Sequence, residues 1–334
     1  MKALVTGGGG FLGGAIVHQL RERGDHVRTF QRGKYADLES VGIECFRGDL
    51  SDVDSLARAI KGCEVVFHVA AKVGVWGKYH DFYNTNVVGT RRVIELSKRY
   101  RVSKLVYTSS PSVVFTGHDD GGLDESAPYA RRYLSPYPET KALAERLVLA
   151  ANSQQLATIA LRPHLVWGPG DPHLVPRIIK RAQAGRLRLV GDGRNLVDFT
   201  YIDNAAAAHL LAADRLTPEA TCAGRVYFVT NGEPLPMGDW LGKILRAASL
   251  PPHLPSIPPS VAYMVGAVLE SLHRLLRPSE EPLITRFVAR ELATAHWFDI
   301  SAARRDLGYE PAISVDEGID RLARFLHGSA PVPS

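Results

Sequence analysis

Leu4-Val5-Thr6-Gly7-Gly8-Gly9-Gly10-Phe11-Leu12-Gly13 opens the chain with a short apolar run, a glycine-rich turn and a helical pattern that continues to Arg23. Glycines at positions 7, 10 and 13 let backbone N–H groups approach a pyrophosphate, whose charge the helix N-terminus also favours. A glycine-rich turn alone is common; strand before and helix after make the signal specific. The stretch predicts a dinucleotide site and, with it, an α/β sheet.

Outward from this turn, strand-like runs recur at Val27 to Phe30, Ile43 to Phe46, Val65 to Phe67, Leu105 to Thr108 and Thr158 to Leu161. Helical patterns lie between them at Val53 to Ile60, Asn86 to Arg99 and Glu139 to Asn152. Alternating strand and helix predict a doubly wound parallel sheet covered on both faces. After Leu161 the regularity fades into proline-rich punctuation, with one more strand-like run at Val226 to Val229. Residues 1–165 are expected to form mainly the dinucleotide-binding domain. Residues 166–334 are expected to form mainly a smaller substrate-binding lobe, interwoven with the first because some segments return to the main sheet.

The 334 residues suffice for a large core without staples. Cys45, Cys63 and Cys222 are far apart and form no CxxC or Cys/His cluster, so no disulfide framework and no metal site are expected. A reducing cytoplasm fits best, as the chain enters its first apolar run without a leader pattern and carries no run long enough to span a bilayer. The net charge of +5 is dispersed, and no docking module with interleaved basic and aromatic residues suggests nucleic acid.

The second strand ends Thr29-Phe30-Gln31-Arg32-Gly33-Lys34. An NAD site usually places Asp or Glu there, against the ribose 2′-hydroxyl. Here no acid repels a phosphate, Arg32 can pair with one bidentately and Lys34 adds a second cation, which predicts NADP(H) over NAD(H). Arg32 read alone is also an ordinary solvated strand-end charge.

Downstream, Tyr137 and Lys141 stand four apart in Ser135-Pro136-Tyr137-Pro138-Glu139-Thr140-Lys141. On a helix they share a face, so a cation can stabilise the ionised phenol. Chance supplies the same spacing at Tyr100 and Lys104, but that pair straddles a helix–strand junction. Pro138 and the helix formers from Ala142 to Leu149 favour the first pair.

With these residues the chain resembles the extended short-chain dehydrogenase/reductase superfamily almost end to end. The matching strings are Gly7 to Gly13, Gly48-Asp49-Leu50, His68-Val69-Ala70-Ala71, Asn86 to Thr90, Tyr107 to Ser110 and Tyr137 to Lys141. Pro111 to Phe115, Arg162 to Asp171 and Asn195 to Asn204 look like its 3β-hydroxysteroid and sterol-carboxylate dehydrogenase branch. Asn231 to Met237, His296-Trp297 and Ala303 to Tyr309 are similar to bacterial reductases of 2-alkyl-3-oxoalkanoates in long-chain olefin biosynthesis.

The resemblance implies a Rossmann-type sheet, with Gly7, Gly10, Phe11, Leu12 and Gly13 at the pyrophosphate and Asp49 and Leu50 near the adenine. It places Ala70 and Ala71 along the cofactor and Pro163 and Val166 near the nicotinamide. It also implies a catalytic set of Ser110, Tyr137 and Lys141. Ser109 is the alternative to Ser110, which the family motif favours. Hydride would pass to a C3 ketone, Tyr137 would donate the proton, Ser110 would bind the oxygen, and Lys141 would lower the Tyr137 pKa and hold the ribose. The substrate implied is a long-chain 3-oxo acid, with a 3β-hydroxysteroid or sterol as the rival and a non-catalytic dinucleotide sensor as a third reading. A homodimer and contacts with neighbouring pathway enzymes are implied by analogy.

Three readings stay open at the substrate end. Lys72, Lys78 and His164 are equal candidates to meet a substrate carboxylate. Val73 to Phe82 is a candidate lid or plain packing. The apolar positions between Val261 and Leu276 line a substrate groove, pack on the lobe, or face a membrane or partner.

Overall fold

Every apolar run of the first half is a strand of one sheet in the computed structural model, which describes residues 1–328; residues 329–334, the end of the second expected segment, lie outside the described residues. The strands are β1 (Lys2–Thr6), β2 (His26–Gln31), β3 (Glu44–Arg47), β4 (Val65–His68), β5 (Lys104–Thr108), β6 (Ala157–Pro163) and β7 (Arg225–Val229). All neighbours run parallel, in the order β7-β6-β5-β4-β1-β2-β3. The order reverses between β1 and β4, and that crevice at the carboxyl ends of the strands is where such sheets bind ligands.

Strand residues are apolar at successive positions because both faces are buried. Ala3 and Val5 of β1 and Val65 and Phe67 of β4 pack into one layer with Ile16, Val17 and Leu20 of α1 (Phe11–Glu22). Leu4 and Val66, between them in sequence, pack into the opposite layer. There they meet Leu56 of α2 (Val53–Ile60), Val93 of α3 (Gly89–Arg99) and Ala144 and Val148 of α4 (Pro136–Ala150). α5 (Ile202–Arg215), from the second half, completes the first layer beside α1.

The second half also builds its own core, in which Trp167, Phe199 and Trp240 are fully buried and the last two rings stack 4.0 Å apart. The halves are interleaved in both directions. β7 joins the main sheet from beyond residue 200, while the short strand Asp120–Leu123 pairs with His296–Phe298 in a four-stranded sheet of the later half.

Two segments differ from expectation. Tyr83–Val88 is a π-helical turn ahead of α3, where a regular helix from Asn86 was expected. In α6 (Pro259–Leu276) the apolar stripe faces outward, with Val268 58% and Leu275 80% exposed. The inward face is Ala262, Gly266 and Glu270, because α7 (Arg286–Ala293) begins so close that a Cβ on Gly266 would lie 2.9 Å from Thr285 backbone. Among the described residues the stripe therefore lines no groove. Among the described residues no helix is long and apolar enough to cross a membrane.

Candidate active site

The turn after β1 is shaped by backbone proximity. Gly7 has φ +73°, its N–H donates to the Phe30 carbonyl at 2.8 Å, and the Gly10 N–H donates to the Gly7 carbonyl at 2.8 Å. A Cβ on Gly13 would lie 2.1 Å from the Gly7 oxygen, so only glycine lets α1 start against this turn. A Cβ on Gly7 would meet the Ala70 backbone at 3.0 Å, which puts Ala70 and the phosphate turn side by side. The cradle fits a dinucleotide pyrophosphate.

At the end of β2, Gln31 is 7% exposed and both polar atoms of its amide lack a partner among the described residues. An orphaned buried amide costs roughly 1–3 kcal/mol unless a ligand satisfies it. Arg32 and Lys34 follow as exposed residues, and the Tyr35 ring leans on Gly9, where a Cβ would come within 2.1 Å of it. Gln31 was visible in the sequence only as the absence of an acid. Asp49, after β3, is exposed and accepts from the Ser51 N–H at 2.9 Å, while Leu50 is a core residue beneath Gly89.

The reacting end is assembled from β5, α4 and the loop after β6. Ser135 caps α4, accepting from the Tyr137 N–H, and Pro136 occupies the first helical position. Tyr137 and Lys141 thus occupy one helical face. Tyr100 and Lys104 are split between the end of α3 and β5. Ser110, just past β5, accepts from the Ser112 N–H at 3.2 Å and lies 2.9 Å from the Ser112 hydroxyl. Burial pushes the Tyr137 phenol up to about 12, and the nearby Ser110 hydroxyl opposes the shift. Of the two adjacent serines, Ser110 lies past the strand end and lowers the Tyr137 phenol, while the Ser109 hydroxyl is buried without a partner among the described residues.

Lys141 departs from the expectation that it lowers the Tyr137 pKa. Its ammonium donates to the Thr108 carbonyl at 2.5 Å and lies 4.2 Å from the centre of the Tyr107 ring. Burial drives its own pKa down to about 7, with Glu145 one turn along opposing the shift. The cation is held by the strand end, and desolvation dominates the phenol.

A buried polar chain locks these parts together. Asn86, on the π turn, accepts from the Lys72 N–H at 2.7 Å and donates to the Lys72 carbonyl and the Thr140 hydroxyl, the residue before Lys141. The Thr90 hydroxyl donates to the Asn86 carbonyl at 2.6 Å, so it accepts from His68 Nε2–H at 2.9 Å. His68 Nδ1 then accepts from the Thr6 hydroxyl at 2.8 Å, and that oxygen accepts from the Ala70 N–H. Burial is the main cause holding His68 down to about 3, so the chain is neutral. The extra residue of the π turn aims Asn86 inward; a regular helical pattern gives no such signal.

The later half supplies the outer wall. Pro163 ends β6, and Leu165 beyond it takes φ +40°, a strained value that turns the chain toward Val166 and Trp167, paired with Thr200 and Tyr201. A small cleft is lined by Ser112, Phe115, His164, Glu291, His296 and Phe298. His296 Nε2–H donates to the Glu291 carbonyl at 2.8 Å, so its Nδ1 accepts from His164 Nε2–H at 2.8 Å. Burial is the first cause lowering both histidines. His164 therefore offers no cation to a carboxylate, and its donor is already engaged. Lys72 lies 3.5 Å from Asp81 across an exposed edge. The loop after Lys72 reaches α6: Trp76 Nε1–H donates to the Pro278 carbonyl at 3.1 Å, and Arg274 lies over its ring.

The family model for 3-beta hydroxysteroid dehydrogenase/isomerase matches residues 4–253. The chain is 49% identical to a 2-alkyl-3-oxoalkanoate reductase of Shewanella oneidensis, over 97% of this chain and 86% of that protein. It is 50% identical to one of Stenotrophomonas maltophilia, over 96% and 98%. A sterol-4-alpha-carboxylate 3-dehydrogenase of Mus musculus is 37% identical over 98% and 91%. The fold superposes on a UDP-glucuronic acid 4-epimerase of Bacillus cereus crystallised with NAD at a TM-score of 0.76, with 23% identity over 98% of this chain and 99% of that one. A nicotinamide-type turn, a Ser–Tyr–Lys constellation at the strand ends and the match along most of the sequence converge: the chain is an oxidoreductase that belongs to the 3-beta hydroxysteroid dehydrogenase/isomerase family within the extended short-chain dehydrogenases/reductases.

Proposed function

We propose that the protein reduces 2-alkyl-3-oxoalkanoates to 2-alkyl-3-hydroxyalkanoates with NADP(H). The reading is carried by Ser110 just past β5 together with Tyr137 and Lys141 on one face of α4, with Lys141 tied to the end of β5 through the Thr108 carbonyl, at the carboxyl edge of the sheet. It is supported by identity near one half, over almost the full chain, to two reductases of that name. The nicotinamide, when bound, supplies the hydride to C3. Tyr137, kept protonated at neutral pH by its raised pKa, donates its phenolic proton to the oxygen on which charge develops. Ser110 takes a hydrogen bond from the Ser112 N–H, and its own hydroxyl proton turns to that oxygen. Lys141, held by the Thr108 carbonyl, would meet the nicotinamide ribose. Arg32, Lys34 and the Gln31 amide are the donors for a 2′-phosphate, with no carboxylate among them. A place in long-chain olefin biosynthesis, a cytoplasmic homodimer and contact with enzymes of the same pathway belong to this proposal.

The test is to follow NADPH and NADH loss with a 2-alkyl-3-oxoalkanoate, and cofactor reduction with a 3β-hydroxysteroid. Turnover of the oxo acid with NADPH preferred is expected, and Arg32→Glu should erase that preference. Turnover of the steroid alone would overturn the assignment.

A further inference from the structure

We propose that Tyr107 is a positioning residue for the reduction, its ring face holding the Lys141 ammonium at the end of β5, a role that rests on the part given to Lys141 above. Successive side chains of a strand point to opposite layers. Val106 enters the layer of α1, whereas Leu105 and Tyr107 enter that of α4, among Ala144 and Val148. Tyr107 is 1% exposed, and the Lys141 Nζ lies over its ring, 4.2 Å from the centre. The next residue, Thr108, supplies the carbonyl that accepts from the same nitrogen at 2.5 Å. Two consecutive residues of one strand therefore hold one cation.

The two supports differ in kind. An ammonium has three N–H donors and no acceptor, and the Thr108 carbonyl takes one of them, the only hydrogen bond Lys141 makes to a described residue. The π face works through its quadrupole, which attracts the whole positive charge, most strongly where water is excluded, as around a lysine that is 2% exposed. It uses no donor, so N–H groups remain for the cofactor ribose. The Tyr107 hydroxyl makes no hydrogen bond to any described residue, which leaves the ring as what this side chain contributes. The His68 ring packs beside it, centres 5.6 Å apart, and is itself fixed by Thr6 and Thr90.

The titratable groups packed around Lys141 do not replace the ring. Glu145, one turn along α4, favours the ammonium, but its carboxylate already takes hydrogen bonds from Arg162 of β6 and from the Tyr129 hydroxyl. His68 of β4 is neutral, and so is His209 of α5, which accepts from the Thr108 hydroxyl. The π turn and α3 present the uncharged Asn86 and Thr90, and Lys72 lies against Asp81. Tyr137, raised to about 12, keeps its proton below pH 10, and Glu291 of α7 acts on that phenol. Weakening the ring therefore has a definite sign. Turnover needs the ammonium, and a cation with less support releases its proton at lower pH, so the basic limb of the pH profile moves down.

Initial rates of 2-alkyl-3-oxoalkanoate reduction at saturating NADPH are followed from about pH 6 to 10 for wild type, Tyr107→Leu, Tyr107→Phe and Lys141→Met, with folding checked by circular dichroism. Position 107 is also filled, by nonsense suppression, with 3,5-difluoro- and 3,4,5-trifluorophenylalanine, which nearly keep the size of phenylalanine and drain its π face stepwise. Tyr107→Leu should move the basic limb down by about one pH unit and lower turnover on its descending side by up to about tenfold. Tyr107→Phe returns the ring and should bring the limb back to within about 0.3 pH units of wild type, while the fluorinated rings move it down again in the order of their fluorine count. If Tyr107→Leu does not fold, the fluorinated series decides. A limb that stays with that of Tyr107→Phe in the trifluoro protein, or a Tyr107→Phe protein without turnover, would overturn the role of the ring. Wild-type turnover by Lys141→Met, or none by wild type on the oxo acid, would instead overturn the reading above, and this role with it.

Discussion

Replacing Lys141 with Met should stabilise the protein at pH 6 and cease to do so near pH 9 to 10. The wild-type ammonium is 2% exposed, and burial lowers its pKa from 10.5 to about 7. A depressed lysine binds its proton less well folded than unfolded, so stability rises with pH between those two values. At about 1.4 kcal/mol per unit, the penalty near pH 6 is at most about 5 kcal/mol, falling to about 2 at pH 9 and below 1 at pH 10. Met fills a similar volume without the charge, but it strands the Thr108 carbonyl that Lys141 satisfies at 2.5 Å, a loss of about 1–3 kcal/mol. The net gain at pH 6 is thus about 2–4 kcal/mol. Unfolding entropy is about 2.1 cal/mol/K per residue, or about 0.7 kcal/mol/K for this length, so the gain appears as about 3–6 °C in Tm. Scanning calorimetry of both proteins without cofactor at pH 6, 8 and 10 measures it, and ketone reduction by the variant should be lost. A Tm at pH 6 no higher than wild type, or a gain of the same size at pH 10, would refute the claim that this lysine is strained by desolvation.

Three further outcomes are expected. Tyr137→Phe should cut turnover by about 100-fold or more while NADPH affinity, measured by fluorescence titration, stays within about threefold; near-normal turnover would remove Tyr137 as the proton donor. Gly13→Ala drives a Cβ to 2.1 Å from the rigid Gly7 carbonyl, so dinucleotide binding by calorimetry should weaken at least about tenfold, and unchanged affinity would contradict the tight turn. Asp198 is fully buried, accepts from the Phe298 N–H at 2.8 Å, and burial raises it to about 7. A raised carboxyl contributes stability below its unfolded pKa and loses it as pH rises through 7, so Asp198→Asn should gain Tm over wild type increasingly from pH 5 to 8; a flat difference would exclude that titration.

Local signals carried the fold because period and punctuation are local. Apolar runs such as Val65–Phe67, separated by helical patterns, predict a sheet buried on both faces, and Gly7, Gly10 and Gly13 mark a tight turn where a helix starts against a strand end. Tyr137 and Lys141 were legible for the same reason: four residues on one helix are neighbours whatever the rest of the chain does. Distant segments were not legible, since nothing in a linear string says what will meet. Leu165 takes a left-handed backbone, Tyr83–Val88 gains a π turn, and α6 turns its leucines outward, all because of elements far away in sequence. The same holds for the electrostatics. Residue types announced an acid, a hydroxyl and a cation, whereas burial set the Tyr137 phenol near 12, put Lys141 near 7 beneath Thr108, and placed Glu291, some 150 residues away, in the field of Tyr137. A pattern of residues names the chemistry, but desolvation depends on which surfaces close over a group, and that is a property of packing alone.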